Sequence, residues 1–573
     1  MKRSLPLFLF LLAAACATAP APPAGPVHVV IVHTTDVHGW FNGHAETPPG
    51  GGEGVIWGGL PSLASYIDVL REQHDGRVVV VDSGDMFQGT LESNLFEGAA
   101  MVRGYNGIGY AAAAVGNHEF DFGPLGEDVV ARKPGDDPLG ALKRNTQLAK
   151  FPFLSANMVE KSTGQTPDWA KPYVIVSRGG AKIGIIGLST PDTPNVTMSA
   201  NVTTLSFTDP IAATIDAAKA LREQEVDAVI VIAHMGGRCA KADDPHDLSS
   251  CQDQHEAMQF LRSLPPGTID AYFAGHTHSR MRHFVNGVPT MQSGALSREF
   301  ATLDLWIDTA ANKVTKSEMR PHTMLCTFVY EGTQECDPRD GAGKKLVPRV
   351  FNGKTITTSK RLATSLAPYL RQVAAKREQR LDIKVAAPFT RTPAAESPLG
   401  DLIADALREG TESDIAFMNS GGIRSDLVAG DLIYGDIFAV SPFDNFPAVA
   451  RMTGAQVRDF LLATTSGLRG LMQVSGLRYT VDFSKGNDRI TSMTLPGGEP
   501  LQLDKVYEVT MPDFVAAGGD GTQDVMKAVG TDNVQVFYAR PIRDLLIDVL
   551  KKQPQPLAPK TDGRITVLNP PAR

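Results

Sequence analysis

The stretch Ala111–Gly123, AAAAVGNHEFDFG, decides how the first half of this chain is interpreted. Four alanines and a valine form a short apolar run, and four polar side chains follow it: Asn117, His118, Glu119 and Asp121. An unbroken apolar run of this length is typical of a strand that is buried on both faces. Polar side chains directly after such a strand lie at the end of the sheet, where α/β proteins place their sites.

Six apolar runs of this kind lie between residue 27 and about residue 320, and helix-like segments separate them. The runs are VVIVHTTDVH, VVVVDSGD, AAAAVGNHE, KIGIIGLST, DAVIVIAHMG and IDAYFAGHTH. Between them, LPSLASYIDVLREQ and DPIAATIDAAKALREQ carry apolar residues at helical spacing. The alternation predicts an α/β domain with stacked sheets inside and helices outside.

Five of the six runs end in histidine, aspartate or asparagine, which points to one shared site. The polar residues at these ends are Asp36, His38, Asp85, Asn117, His118, His234, His276 and His278. Any one of them alone would more often be a satisfied polar group than a ligand. Together they offer the nitrogen and oxygen atoms that zinc, manganese or iron prefer. The seven residues other than His118 suit two metal ions if one carboxylate binds both ions. Asp85 is the expected bridging ligand.

His118 is left over beside the expected ligand Asn117. Its ring could donate a proton to a leaving oxygen or stabilise charge that develops on phosphorus oxygens. Asp121 could hold this ring and keep it protonated, whereas Glu119 is expected to serve the turn. Two divalent ions against two aspartates leave a positive centre, which favours a phosphate dianion and acidifies a bound water.

DVHG, GD, GNHEFD, the histidine of IAHMGG, and GHTH, in this order, resemble the signature of calcineurin-like metallophosphoesterases. NSGGIRSD, SPF and the phenylalanine of PDFVAAGGDG resemble the C-terminal domain of the 5′-nucleotidase family, which includes bacterial UDP-sugar hydrolases and animal ecto-5′-nucleotidases. The resemblance implies a four-layer α/β/β/α metallophosphoesterase domain over 27–352, a linker helix and hinge over 353–384, and an α/β substrate-binding domain over 385–568.

The resemblance also implies roles for the residues at the strand ends. One metal would be held by Asp36, His38, Asp85 and His278, and a second by Asp85, Asn117, His234 and His276. His118 and Asp121 match the catalytic dyad of the family. The implied reaction is in-line attack on phosphorus by a metal-activated water, which releases nucleoside and phosphate. We expect two divalent ions, with zinc first and manganese, iron or cobalt as alternatives.

The second half of the chain offers candidate substrate contacts. The glycines of MNSGGIRSD allow close approach of the backbone to a ligand, and Arg424 can pair with phosphate. Phe443 and Phe514 could stack on the two faces of a base, and Asp520 could accept from ribose hydroxyls. In the simpler interpretation both phenylalanines are core residues and Asp520 forms a turn.

The resemblance favours the binding roles. It implies base stacking by Phe443 and Phe514 and ribose contact by Asp520. It also implies contacts from Asn419, Gly422 and Arg424. One departure concerns a substrate arginine that the family commonly has just before a segment matching Glu396–Gly400. Arg391 is the nearest candidate here, so either it substitutes or one phosphate contact is missing.

The N-terminus predicts export. Lys2 and Arg3 precede SLPLFLFLLAAAC, which is too short to span a membrane and is typical of a secretory signal, over residues 1–16. Its end resembles a bacterial lipoprotein cleavage box that would leave Cys16 lipidated; ordinary cleavage nearby is the alternative. Residues 17–26, ATAPAPPAGP, are typical of a tether. We expect a lipid-anchored protein in the periplasm or envelope of a Gram-negative bacterium.

Four other cysteines form two sequence-local pairs in loops, and an exported location makes both pairs plausible disulfides. They are Cys239 with Cys251 and Cys326 with Cys336. The net charge of −8 and the lack of a basic stripe predict no nucleic-acid partner. We expect a monomer that takes a small nucleotide substrate and reaches the membrane only through Cys16.

Several rival functions stay open. UDP-sugar diphosphatase and 2′,3′-cyclic-nucleotide phosphodiesterase activity could use the same site, and a thiosulfate-ester hydrolase of related fold is a more distant alternative. A surface nucleotide-binding or adhesion protein with a silent site belongs to another class.

Between the halves, residues 356–382 predict one long helix, because Leu362, Leu366, Leu370 and Val373 recur at helical spacing. The charged segment Lys376–Ile383 is the predicted hinge.

Overall fold

The computed structural model describes residues 25–49, 51–126, 128–465 and 470–570. The predicted signal peptide, Cys16 and most of the predicted tether lie outside these residues. Within the described ranges, no helix combines the length and apolar character that a membrane crossing requires.

The first sheet of the N-terminal half contains seven strands. In spatial order its main path is Lys313–Met319, Glu299–Asp308, Val27–Thr34, Val78–Asp82, Ala112–Ala114 and Phe153–Leu154, and Thr323–Met324 pairs with Glu299–Asp308 beside this path. The four strands from Val27–Thr34 to Phe153–Leu154 run parallel. Their carboxyl ends therefore meet at one edge of the sheet.

The second sheet contains six strands. In spatial order they are Arg280–Val285, Val288–Ser293, Ala271–Ala274, Ala228–His234, Ala181–Ser189 and Tyr173–Arg178. The strands Ala181–Ser189, Ala228–His234 and Ala271–Ala274 are parallel neighbours. All six predicted apolar runs therefore form strands, three in each sheet.

Helices cover the outer faces of the two sheets. The inner faces pack on each other through buried residues such as Ile31, Val81, Ile185, Ile232 and Phe273. The helices that pack on the first sheet are Leu60–Gln73, Ala99–Ile108 and Gly140–Leu148, and those on the second are Pro210–Arg222 and Glu256–Ser263. Two short helices, Leu91–Asn94 and Thr193–Val196, lie in loops after the strands Val78–Asp82 and Ala181–Ser189. The predicted four-layer α/β/β/α order and both predicted amphipathic helices are confirmed.

Short elements complete the N-terminal half. Four two-stranded pairs are Met158–Glu160 with Leu205–Phe207, His44–Glu46 with Val55–Trp57, Phe328–Tyr330 with Leu346–Pro348, and Val350–Phe351 with Lys354–Thr355. Both predicted disulfides are formed, with S–S distances of 2.03 Å for Cys239–Cys251 and 2.00 Å for Cys326–Cys336.

The linker helix is shorter than the sequence predicts. It spans Lys360–Arg377, with Leu362 in the N-terminal core and Val373 in the C-terminal core. Residues beyond it form the strand Arg380–Val385 instead of more helix, because they pair with Gly430–Ile433. Alternate residues of this strand are buried, so RLDIKV follows the period of a strand. The hinge role of this region stays a prediction.

The C-terminal half has its own sheets and core. A five-stranded sheet has the order Met472–Ser475, Ile415–Asn419, Val506–Pro512, Pro447–Thr453 and Val534–Val536, and a three-stranded sheet has the order Ile490–Thr494, Arg478–Asp482 and Ile565–Leu568. The helices are Pro398–Thr411, Tyr434–Val440, Gly454–Thr464, Asp513–Ala516, Gln523–Val529 and Ile542–Lys552. This arrangement confirms the predicted α/β class of the second domain.

Single 3₁₀ turns occur in both halves of the described chain. They are His118–Phe120, Ser199–Val202, Pro338–Asp340, Ser420–Gly422, Phe483–Asp488, Gly519–Gly521 and Thr531–Asn533. Three of them carry predicted site residues, since His118 begins one, Gly422 ends another and Asp520 lies in a third.

Candidate active site

The predicted ligands follow the carboxyl ends of strands in both facing sheets. Asp36 and His38 follow Val27–Thr34, Asp85 follows Val78–Asp82, Asn117 follows Ala112–Ala114, His234 ends its own strand, and His276 and His278 follow Ala271–Ala274. Parallel strands bring these loops to one edge of the β-sandwich. The structure therefore brings all seven predicted ligands together.

Their donor atoms form two groups. One consists of Asp36, His38 and His278, the other of Asp85, His234 and His276, and the atoms within each group lie within 4.8 Å of one another. Asp85 connects the groups, since its Oδ2 is 3.0 Å from His234 Nε2 and 3.7 Å from His38 Nε2. Asn117 Oδ1 is also 3.0 Å from His234 Nε2.

Hydrogen bonds on the far side of the rings orient two of the histidines. His38 Nδ1 lies 2.7 Å from the carbonyl of Gln88, and His234 Nδ1 lies 2.8 Å from the carbonyl of Ser83. Each Nδ1–H donates to its carbonyl, which turns Nε2 of both rings towards the centre. His38 Nε2 is 3.0 Å from His278 Nε2. Nitrogen ligands of one tetrahedral zinc ion are about 3.3 Å apart, so this spacing fits a shared cation.

The charge states also suit cations. Burial lowers the pKa of His38 well below its usual value, that of His276 to about 3, and that of His278 to about 4. These imidazoles are therefore neutral at pH 7 and keep a lone pair. Burial by itself raises the pKa of Asp85, but the neighbouring His234 and His118 hold it well below its usual value. Two donors differ: burial raises the pKa of Asp36 to about 7, and the pKa of His234, which burial alone would lower, is raised to about 10 by Asp85. Binding of a divalent ion would therefore displace a proton from His234.

Backbone strain concentrates at the same loops. Five of the seven ligand candidates have left-handed backbone angles, with φ of 51° at Asp36, 49° at His38, 57° at Asp85, 75° at His276 and 54° at His278. Such a conformation costs roughly 1–3 kcal/mol for each residue that is not glycine, and it persists where the surrounding structure enforces it. The strain is therefore consistent with side chains that are aimed at a common point.

Glu119 holds two of these loops together. Its carboxylate accepts from the backbone N–H of Asp85 at 2.8 Å, Met86 at 2.7 Å and Gly116 at 2.7 Å. A Cβ atom at Gly116 would lie 2.3 Å from Asp85 Oδ1, so only glycine fits there. The sequence assigns Glu119 to its own turn, but the side chain also fixes the backbone of the Asp85 loop.

His118 forms a linked chain of hydrogen bonds. Its Nδ1 lies 2.6 Å from Asp121 Oδ2, and the hydroxyl of Thr197 donates to Asp121 Oδ1 at 2.8 Å. Burial alone lowers the pKa of His118, but the carboxylates of Asp121 and Asp85 raise it to about 9. The predicted contact between His118 and Asp121 is therefore present, and Thr197 extends it. No sequence motif marks Thr197.

Replacing Thr197 with valine removes this hydroxyl at nearly constant volume. We expect kcat to fall about five- to tenfold with little change in KM, because one hydrogen bond that orients Asp121 is lost. Thr197→Ser should restore kcat, and Thr203→Val tests a nearby exposed threonine as a control. Steady-state kinetics that show equal kcat for Thr197→Val and the unmodified protein would contradict the role.

A cavity of about 380 Å³ lies between the two halves. Its walls include residues from both donor groups, the dyad and the C-terminal loops: Asp85, Gln88, Asn117, His118, Asp121, Phe122, Val196, Thr197, Met198, His276, His278, Asn419, Gly421, Gly422, Arg424, Phe443, Asp444, Asn445, Phe514 and Asp520. The structure thus places six of the seven predicted substrate contacts at this cavity.

The aromatic pair has a simple structural origin. Phe443 precedes the strand Pro447–Thr453 and Phe514 follows Val506–Pro512, and these strands are antiparallel neighbours. Both rings are partly exposed, although Phe514 also packs against the C-terminal core. The Phe443 ring lies 6.3 Å from the His118 ring, and the Arg424 guanidinium lies 5.7 Å from the Phe443 ring.

The other predicted contacts occupy different positions. Asn419 donates to Asp520 Oδ2 at 2.7 Å, so these two residues form a pair at the cavity wall. Arg391 is not among the residues that line the cavity. Its guanidinium donates to the carbonyl of Ile423 at 2.8 Å instead, and the side chain is exposed. A substrate contact by Arg391 stays a prediction that this arrangement does not support.

Two known protein families match this chain, one in each half. Residues 29–280 match the family of calcineurin-like phosphoesterases, and residues 376–528 match the 5′-nucleotidase C-terminal domain.

The chain therefore combines a calcineurin-like phosphoesterase domain with a 5′-nucleotidase C-terminal domain.

Bacterial 5′-nucleotidases and related proteins resemble this chain over most of their length. A 5′-nucleotidase of Vibrio cholerae serotype O1 is 29% identical over 576 residues, which cover 93% of each chain. Protein UshA of Escherichia coli K12 is 26% identical over 533 residues and 86% of each chain. A crystal structure of a 5′-nucleotidase precursor from Thermus thermophilus shares the fold, with a TM-score of 0.71, 23% identity and coverage of 95% of this chain and 100% of that one.

The match to calcineurin-like phosphoesterases and the similarity to bacterial 5′-nucleotidases establish the class of reaction. The chain is a metal-dependent hydrolase of phosphoric esters. The family uses divalent ions, and the two groups of aspartate and histidine donors are where this chain would hold them. The identity of the ions and of the substrate belongs to the proposal that follows.

Proposed function

We propose that this protein is an exported, lipid-anchored enzyme that hydrolyses nucleoside 5′-monophosphates to nucleoside and phosphate. Two divalent ions, zinc in the first place, would be bound by the two donor groups that Asp85 connects. One observation carries the proposal: a single cavity is lined both by residues of the two donor groups and by the pair Phe443 and Phe514. A substrate with a phosphate and a base could contact both sets of residues at once.

Different residues of the chain would bind the phosphate and donate the proton in this reaction. Bound divalent ions supply positive charge to the phosphate and acidify a water molecule. Since Asp121 engages Nδ1 of His118, the Nε2 side of the ring is left for the substrate. It can donate a proton to the leaving oxygen or stabilise charge on the phosphorus oxygens. Arg424, which lines the same cavity, can pair with phosphate.

Phe443→Ala tests the base end of the cavity. Stacking of a base on an aromatic ring contributes about 1–3 kcal/mol, so kcat/KM for AMP should fall about 5- to 150-fold. Phenyl phosphate has no base and should lose much less. Phe328→Ala removes an exposed ring elsewhere and serves as the control. Equal losses for AMP and phenyl phosphate would refute stacking.

The substrate class can be settled with a panel. The protein is freed of metal with a chelator, reconstituted with zinc, manganese or cobalt, and assayed with AMP, UDP-glucose and 2′,3′-cyclic AMP. We expect AMP to have the highest kcat/KM. A higher value for UDP-glucose or the cyclic nucleotide would move the assignment to that activity, and metal-loaded protein without any turnover would indicate a silent site.

Export and anchoring rest on the N-terminal sequence together with two disulfides, which are typical of oxidising compartments. Labelling of cells with a radioactive fatty acid tests the anchor. The unmodified protein should carry the label and a Cys16→Ser variant should not. An unlabelled parent protein would contradict the anchor but not the export.

A further inference from the structure

Asn445 lies at the wall of the cavity, and Asp513 contacts it from outside the cavity lining; neither is among the substrate contacts that the sequence predicts. Asn445 precedes the strand Pro447–Thr453, and Asp513 follows its antiparallel neighbour Val506–Pro512. Each is therefore close in sequence to one of the two aromatic residues. Asn445 lines the cavity, and its Nδ2 donates to Asp513 Oδ1 at 2.9 Å.

Asp513 is a buried carboxyl group with a defined position. Only 6% of its surface is exposed. Its Oδ1 also accepts from the backbone N–H of Phe514 at 2.8 Å, and its own backbone N–H donates to the carbonyl of Phe446 at 2.8 Å. Burial raises the pKa of Asp513 to about 6, so the group is still mainly a carboxylate at pH 7.

The loop that carries Asn445 is held from several sides. The carbonyl of Asn445 accepts from the backbone N–H of Ile542 at 2.7 Å. The neighbouring Asp444 pairs with the buried Arg543 at 2.5 Å. From the N-terminal half, Asn94 donates to the carbonyl of Pro442 at 3.2 Å. These contacts fix the backbone of Asn445. They do not determine which atom of its side-chain amide, the oxygen or the nitrogen, faces Asp513.

The carboxylate of Asp513 determines the orientation of the Asn445 amide. It has no hydrogen to donate, so it can accept only from the NH₂ side of the amide. The reversed amide would place two oxygens about 3 Å apart in a buried site, which is strongly unfavourable. The acceptor that Asn445 offers to the cavity is therefore its carbonyl oxygen.

We infer that Asn445, oriented by Asp513, selects nucleotides whose base carries an exocyclic amino group, an inference that rests on the proposed function. Adenine and cytosine have an NH₂ donor where hypoxanthine and uracil have a carbonyl oxygen. The amino group can donate to the Asn445 oxygen, whereas the carbonyl would face it as a second acceptor. AMP is thus preferred over IMP, and CMP over UMP.

AMP and IMP are the sharpest test pair, because the bases have the same shape and differ at this group. We expect kcat/KM for AMP to exceed that for IMP about tenfold in the unmodified protein. Asp513→Ala removes the acceptor that fixes the amide, so Asn445 can reverse, and the ratio should fall to within about twofold. Asn445→Ala should also abolish the preference, and Asp524→Asn, at an exposed aspartate, should keep it.

The ratio of two substrates is insensitive to partial unfolding, because both report on the same active molecules. A parent protein that hydrolyses AMP and IMP equally well would overturn the inference. So would an Asp513→Ala variant that keeps the tenfold preference. Hydrolysis of phenyl phosphate without hydrolysis of any nucleotide would instead reject the proposed function, and the base selection with it.

Discussion

Asp85→Asn is expected to lower kcat/KM by about 10³–10⁵-fold and to reduce the bound divalent metal below one ion per chain. The asparagine keeps the shape of the side chain but removes the charge that both donor groups share. Metal ions contribute several kcal/mol of charge stabilisation to phosphate chemistry, and each 1.4 kcal/mol is about a factor of ten in rate. Metal content by atomic spectroscopy and phosphate release from AMP measure the two effects.

The control for this variant is Asp68→Asn, at an exposed aspartate on the helix Leu60–Gln73. It should retain full activity and two ions per chain. An Asp85→Asn protein that still binds two ions would show that this carboxylate does not connect the donor groups. If the Asp85→Asn variant kept its metal but lost activity, Asp85 would take part only in the reaction. That result would contradict its role as the shared ligand.

His118→Ala is expected to lower kcat by about 10²–10⁴-fold while the metal content stays near normal. The contrast with Asp85→Asn follows from geometry. His118 supports Asp85 through its backbone N–H, which donates to Asp85 Oδ1 at 2.8 Å and which alanine retains. Only the ring that pairs with Asp121 is removed.

His246→Ala provides the matched control, since this histidine is exposed and belongs neither to the donor groups nor to the cavity lining. Metal analysis and steady-state kinetics are made on both variants. Full activity of His118→Ala would remove the histidine from the reaction. Loss of metal together with activity would show that the ring is a structural support of the donor groups and not a separate proton donor.

The sequence predicts the strands and the edge where they end, because both follow from local pattern. Each buried run, such as the one before Asp36, is too short and too apolar for any other element. Parallel strands then oblige the polar residues behind them to meet at one edge. Local pattern fails for Arg380–Val385, whose charged residues resemble the end of a helix. This segment is a strand because it pairs with Gly430–Ile433, a partner that the local sequence does not reveal.

Residues that act through other side chains could not be found in this way. Thr197 lies 76 residues from Asp121 along the chain, and Asp513 lies 68 residues from Asn445. No spacing in the sequence connects either pair, since each contact depends on how separate loops converge. The left-handed backbone of Asp36, His38 and Asp85 is likewise imposed by the folded loops and has no signature in these residue types.

The most direct measurement is an anomalous-diffraction map from crystals saturated with zinc or manganese. We expect two peaks about 3.5–4 Å apart, one beside Asp36, His38 and His278 and the other beside His234 and His276. The carboxylate of Asp85 should contact both ions. A single peak, or two peaks with Asp85 bonded to neither, would contradict a centre of two ions that share this carboxylate.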